Sequence, residues 1–256
     1  MSSSPDSCWQ PAPQHLTLET DEVHVWRASL EQKASAVAEF RRLLAEDERC
    51  RADRFHFTRD RVHYVVARGI LRTLLARYLN ERPERLRFNY SAFGKPSLEE
   101  DSAGALALRF NLSHSKDLAL YAFTRGREIG VDVEHVRADV EGEDIARRFF
   151  SPAEISVLRS LPAEARPRAF FDCWTRKEAY IKAHGEGLSL PLDGFDVTLS
   201  PGEPARLLAT RHDPAQAARW SLRELSPGEG YAAALAVEGD DWQLKCWQWR
   251  ATQTIN

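Results

Sequence analysis

Three short stretches of the chain hold residue types whose spacing permits chemistry. In Phe170–His184, the residues Phe170, Trp174, Glu178 and Lys182 recur every fourth position and stack along one side of a helix. That side carries an aromatic ring, a carboxylate and an amine. An ordinary i,i+4 surface pair between Glu178 and Lys182 accounts for two of them and is worth roughly a few tenths of a kcal/mol. In Arg127–Glu134, REIGVDVE, strand alternation sets Ile129, Val131 and Val133 on one face and Gly130, Asp132 and Glu134 on the other. Like charges on one strand face repel, so they are either solvated or neutralised by a cation, and side-by-side carboxylate oxygens suit Mg²⁺. If Glu178 faces them, the site has three acids. In Arg109–Phe123, RFNLSHSKDLALYAF, two apolar strands flank a polar turn predicted at Ser113–Asp117, which contains His114. That histidine is either solvated or, with the hydroxyls of Ser113 and Ser115, part of a donor set for phosphate.

The elements that must position these groups are legible in outline. Gly185 and Gly187 end the long helix, and Leu188 resumes an apolar run through Leu190 and Leu192. A first strand is predicted around Val23, Val25 and Trp26, and a helix over Ser35–Asp47 turns Val37, Phe40, Leu43 and Leu44 inward. A longer helix, Arg61–Leu79 with Asp60 as its cap, buries Val65, Val66, Ile70, Leu71, Leu74 and Leu75. After the strand at Ile129–Val133 come helices near Asp144–Phe149 and Pro152–Leu161, then Pro167–His184, then strands at Asp193–Leu199, Tyr231–Val237 and Trp242–Trp249. Strand, helices, long helix and strands thus occur twice in the same order.

Composition sets the frame. The 256 residues are 43% hydrophobic and 29% charged, ordinary for a globular protein with a real core. No apolar run approaches a membrane span and MSSSPDSCWQPAP lacks the features of a secretory signal, so a cytoplasmic protein without a membrane partner is expected. Cys8, Cys50, Cys173 and Cys246 lack metal-ligand spacing and read as buried reduced thiols rather than zinc ligands or disulfides. Residues 41–90 hold thirteen Arg against seven Asp plus Glu, in a chain whose net charge is -3. Those arginines are either a solvated helix face or, with Arg51, Arg54, Arg68 and Lys95, a surface for an anion; nucleic acid is the poorer fit, since no nucleic-acid motif occurs.

The motifs FNLSHS, IGVDVE and WTRKEAYIKAHGEGLSLPL, in this order, with Phe93-Gly94-Lys95-Pro96 upstream, closely resemble the signatures of the 4'-phosphopantetheinyl transferases, specifically the longer, surfactin-type branch. The resemblance spans roughly Arg51 to Leu192. It implies an α+β fold of two similar halves packed as an intramolecular pseudo-dimer, 15–126 and 127–256, after a loose leader at 1–14, with the ligand cleft between the halves. It implies transfer of the 4'-phosphopantetheine arm of coenzyme A to a serine of an apo acyl or peptidyl carrier protein, with Mg²⁺ and release of adenosine 3',5'-bisphosphate.

Carried over by motif position, Asp132, Glu134 and Glu178 are the metal ligands, Asp132 thereby also meeting the coenzyme. Glu178 is also the base, acting directly or through a metal-bound water, and Lys182 pairs with the α-phosphate; Lys177 is the weaker candidate. Ser113 and His114 match the position that meets the 3'-phosphate, Lys95 the one near the adenine and its phosphates, and Arg51 and Arg54 the basic positions before the first long helix. The carrier surface is expected over His135–Phe150, where Phe149 and Phe150 are either anchors or core. Because one chain supplies both halves, a monomer is expected. Two other readings fit the same residues: a Mg-dependent hydrolase of coenzyme A or a nucleotide pyrophosphate, and a non-catalytic carrier-binding protein.

Overall fold

A computed structural model describes residues 9–99, 107–137, 142–185 and 190–250. The first eight residues of the expected leader, positions 138–141 of the expected carrier surface, and Gly187 and Leu188 lie outside the described residues.

The strands are β1 (Trp9–Pro11), β2 (Glu22–Ser29), β3 (Phe88–Tyr90), β4 (Pro96–Leu98), β5 (Leu108–Ser115), β6 (Leu118–Arg125), β7 (Ile129–His135), β8 (Phe195–Val197), β9 (Leu207–Thr210), β10 (Trp220–Leu225), β11 (Tyr231–Glu238) and β12 (Gln243–Gln248). The helices are α1 (Ala34–Leu43), α2 (Glu46–Asp53), α3 (Thr58–Leu79), α4 (Gly142–Phe149), α5 (Pro152–Ser160), α6 (Arg166–His184) and α7 (Gln216–Arg219). The predicted repeat is real at the level of topology. β2 pairs with β6 and β6 with β5, all antiparallel; β7 pairs with β11 and β11 with β10 in the same way. Each trio is preceded or spanned by two short helices, one long helix and a small hairpin, β3–β4 or β8–β9.

Alternation along the central strands builds four layers. Trp26, Tyr121 and Phe123 face α3 in one core, and Ala232, Ala234 and Ala236 face α6 in a second. The opposite faces, Val23, Val25, Leu120, Ala122, Ile129, Val131, Val133, Ala233, Leu235 and Val237, meet each other in a third core between the sheets. Strands covered on both faces must be apolar at both parities, which is what AAALAV in β11 shows. Alanine on the helix side keeps α6 close to its sheet.

Several expectations need correction. Residues 9–11 are not leader but strand: Trp9 is buried, its indole donates to Ser226 O at 2.6 Å, and Arg27 lies over its ring. The C-terminal strand is not in the second half's sheet. β12 runs parallel to both β2 and β1, and Trp247 and Trp249 pack on Trp26. The predicted helix over 35–47 is two helices, because Glu48 reaches back to the Ala45 N–H at 2.8 Å and starts a new one there. Asp60 is not a cap; α3 begins at Thr58 and Asp60 lies in its first turn, where it complements the helix dipole. The Ser113–Asp117 turn shrinks to Lys116 and Asp117, with Lys116 at φ 53°, so His114 stands on a strand. No helix of the described residues is long and apolar enough to cross a membrane.

One buried polar group couples this scaffold to pH. His24 lies between the Tyr78 hydroxyl (2.8 Å from Nδ1) and the Glu22 carboxylate (3.1 Å from Nε2). Burial, only partly offset by Glu22, pushes its pKa down to about 4. The unfolded chain therefore takes up this proton first as pH falls, and stability is lost between the unfolded value near 6.5 and the folded one, by about 3 kcal/mol at most. Urea unfolding at intervals from about pH 7 to about pH 4.5 should show that decline, and His24→Gln should flatten it.

Candidate active site

The long second-half helix, α6, has an uncommon burial pattern. From Ala169 to Ala183 every residue is buried except Trp174, Glu178 and Lys182, the stripe predicted by four-residue spacing. The helix ends where Gly185 adopts φ +79° and donates to Ile181 O at 3.0 Å. Lys177 does not join the stripe. It is fully buried on the other side, donating to Leu192 O and Phe195 O at 2.7 Å and to Glu154 at 2.8 Å, so its ammonium holds the second-half core.

β7 presents its acids to this stripe through one close approach. A Cβ on Gly130 would stand 2.1 Å from Ala179 O and 2.3 Å from Ala183 N, so only glycine lets strand and helix meet this closely. With that contact made, Lys182 Nζ donates to Asp132 Oδ1 at 2.6 Å and to the Ser113 hydroxyl at 3.0 Å, and Ser113 itself donates to Asp132 Oδ1 at 2.8 Å. Asp132 is buried, and its second oxygen, Oδ2, has no partner among the described residues. Glu134 accepts from the Ser115 hydroxyl at 2.7 Å.

The electrostatics match this crowding. Burial raises the Glu134 pKa, the Ser115 hydrogen bond opposes it, and the charge of Asp132 adds to it. Burial likewise raises Glu178, with Asp132 and Glu134 adding to the shift and Lys182 opposing it. Three acids thus stand against one ammonium. Among the described residues no three such groups already converge to enclose an ion. The donor chemistry nevertheless fits a hard divalent cation: carboxylate oxygens only, an excess of negative charge, and a buried Oδ2 without a partner.

The groups meet where the two sheets adjoin, β5 beside β7. Side chains at alternate positions of β5 do the joining: Asn111 Oδ1 accepts from Val131 N–H at 3.0 Å, Ser113 binds Asp132, and Ser115 both accepts from His135 N–H at 3.1 Å and donates to Glu134. Glu134, His114 and Ser115 also line a cleft of about 940 Å³ between the halves. Its ionic lining is Arg51, Arg59, Arg68, Lys116 and Arg137 against Asp60 and Glu134, a positive surface beside an acidic cluster. His114 projects beside it; the surrounding protein, then the charges of Lys182 and His63, hold its pKa below the ordinary value.

The predicted residues divide. Ser113, Asp132, Glu178 and Lys182 gather around one point, with Glu134 and His114 beside them, and Arg51 reaches the cleft over the Tyr64 ring, 5.6 Å from its centroid. Arg68 reaches it too, already held by Glu48 and the Tyr90 hydroxyl. Arg54 does not; it is exposed at the C-terminus of α2 and is absent from the cleft lining. Lys95 does not either, its ammonium lying on Glu128 and Ala183 O. Phe150 is core, stacked on Phe170 at 5.3 Å, while Phe149 is half-buried against Trp174. Sequence reasoning missed Arg59, His63, Lys116 and Arg137. The i,i+4 spacing of Arg59 and His63 at the start of α3 was the available signal for two of them.

Comparison with known proteins gives the family. Residues 128–236 match the model of the 4'-phosphopantetheinyl transferase superfamily, and residues 24–125 match that of the 4'-phosphopantetheinyl transferase N-terminal domain. The chain is 44% identical over 241 residues to the 4'-phosphopantetheinyl transferase HetI of Nostoc sp., covering 94% of this chain and 98% of that one. It is 36% identical over 150 residues to a putative 4'-phosphopantetheinyl transferase of Synechocystis sp., covering 59% and 60%. Against the 4'-phosphopantetheinyl transferase Sfp of Bacillus subtilis it is 32% identical over 190 residues, covering 74% and 80%.

The Gly130 contact supplies a test of the geometry. Gly130→Ala forces backbone apart, since the atoms met belong to the α6 main chain. Thermal unfolding should show a loss of about 1–3 kcal/mol or more, with activity falling further than stability because Lys182 leaves Asp132.

Proposed function

The chain belongs to the 4'-phosphopantetheinyl transferase superfamily, and from that membership we propose how its own residues divide the transfer of the 4'-phosphopantetheine arm from coenzyme A to a carrier protein. The observation that carries the assignment is the buried Asp132, bound on one oxygen by Ser113 and Lys182 and without a partner on the other among the described residues, with Glu134 and Glu178 beside it.

The cationic cleft receives the phosphates of coenzyme A, with Arg51 and the Ser113–His114 strand end at the 3'-phosphate. The carrier serine hydroxyl attacks the phosphorus that bears pantetheine, and the bond from that phosphorus to the bridging oxygen breaks, leaving adenosine 3',5'-bisphosphate. Glu178, on the less buried stripe of α6 beside Asp132, takes the serine proton. Lys182 offers its ammonium to the α-phosphate oxygens that gain charge as the bond breaks. Asp132, Glu134 and Glu178 would hold Mg²⁺, which when bound neutralises pyrophosphate charge. The half-buried Phe149 and Trp174 extend the α6 stripe toward the carrier. We place the reaction in the cytoplasm of the cell, in keeping with the free thiols of the exposed Cys50 and the buried Cys173, and in a monomer, because both halves of the cleft come from one chain. Nucleic acid and membrane have no part in this scheme.

Intact mass spectrometry of an apo carrier incubated with the protein, coenzyme A and Mg²⁺ should show the added arm, lost with EDTA. Asp132→Ala should abolish transfer, and Glu178→Gln should lower kcat by about 10²–10⁴-fold. Lys182→Ala should lower kcat by about 10²-fold with little change in coenzyme A binding, and His114→Ala should mainly raise the coenzyme A KM. Full activity in Glu178→Gln removes its role as base. Free phosphopantetheine without a carrier would signal hydrolysis instead.

A further inference from the structure

Lys95 stands apart from its neighbours. Gly94 and Pro96 line the cleft, but the Lys95 side chain turns to the opposite side of this segment, into a separate cavity of about 340 Å³ beside Arg109, Glu128 and Gly185. There its ammonium donates to Ala183 O at 2.9 Å and to the Glu128 carboxylate at 3.0 Å. Its stem lies against Gly185, with Lys95 Cδ 3.5 Å from where a Cβ on that glycine would stand. Ala183 O is one of the last carbonyls of α6, which have no intrahelical donor, and a cation there also meets the negative end of the helix dipole.

Ala183 is thus gripped on two sides. Its N–H side rests on Gly130 of β7 and its carbonyl on Lys95. The adjacent residue is Lys182, and Glu178 is one turn earlier. Glu128, just before β7, is also approached by Arg109 at 3.6 Å. One ammonium therefore ties the loop between β3 and β4, in the first half, to the start of β7 and the last turn of α6. We propose that Lys95 is a positioning residue: it clamps the end of α6 across the two halves and so sets Lys182 and Glu178 against Asp132, without touching coenzyme A. The inference rests on the assignment above, in which α6 supplies the reacting groups.

Lys95→Met keeps the stem and removes the ammonium, whereas Lys95→Arg keeps donors for both acceptors. Steady-state kinetics with coenzyme A and an apo carrier, calorimetric coenzyme A binding and amide hydrogen exchange would be measured on the full chain. Lys95→Met should lower kcat about tenfold, leave the coenzyme A KM and Kd within about twofold, and speed exchange in the last turn of α6 but not in β2 or β6. Lys95→Arg should recover most of kcat, and Glu128→Gln should lower it less and add little to Lys95→Met. A coenzyme A Kd raised about tenfold with exchange unchanged would overturn the proposal in favour of direct contact. Unchanged kcat despite faster exchange would overturn it as well. If Lys95→Met does not fold by circular dichroism, Lys95→Arg and Glu128→Gln carry the same comparison. Glu178→Gln assayed in parallel separates the two ideas: its full activity defeats the site assignment, while exchange at α6 still reads the clamp.

Discussion

A carboxylate taken out of water has to be answered by protein, and the middle of this molecule is arranged around answering Asp132 only in part. One oxygen receives a hydroxyl from β5 and an ammonium from α6, elements of different halves; the other receives nothing from the described residues. Leaving a buried charge half-satisfied costs several kcal/mol, roughly, unless a further cation or donor arrives. The neighbourhood accepts that cost together with two more acids whose pKa values burial has raised. Such an arrangement holds chemical potential for a ligand that brings positive charge, or a proton to be accepted, and has no merit as a means of stability.

The means of reaching Asp132 explain the residues around it. Gly130 lets α6 sit on β7, and Ala232, Ala234 and Ala236 keep the neighbouring strand low enough for the helix to lie flat. Between the sheets a backbone ladder is replaced by Asn111, Ser113 and Ser115, three short polar side chains on alternate positions of β5. Short side chains reach across and still leave hydroxyls for the acids, so the same residues that join the halves also orient the site. The positive cleft then begins where this joint ends, at His114 and Glu134.

How far the sequence could be read follows the range of each interaction. The α6 stripe and the β7 alternation depend on neighbours within one or two turns, and both were legible in the spacing of Trp174, Glu178 and Lys182 and of Asp132 and Glu134. Asp132 and Lys182 were brought together only through the motif resemblance. Direction of a lone side chain was not legible: Lys95 and Lys177 are both good phosphate ligands by type, yet one caps a helix and the other fills a core, each fixed by carbonyls distant in sequence. Arg54 fails for the same reason, and Trp9 and the Trp247 strand pair with partners at the other end of the chain. Arg59, His63, Lys116 and Arg137 gain meaning only once the cleft exists.

The return of β12 to the first half has a mechanical consequence. The chain crosses between the halves twice, at 126–128 and at 239–242, and the crossings lie side by side: Arg127 holds Glu238 O at 3.2 Å and Asp241 at 2.7 Å, and Glu238 N–H donates to Glu128 O at 3.1 Å. Two covalent links fastened together brace one end of the β5–β7 joint. The opposite end, beside Ser115 and His135 where the cleft opens, is joined instead by the hydrogen bonds of the Ser115 hydroxyl to Glu134 and to the His135 N–H. The two ends of the joint therefore differ in kind, covalent beside Arg127 and reversible beside the cleft.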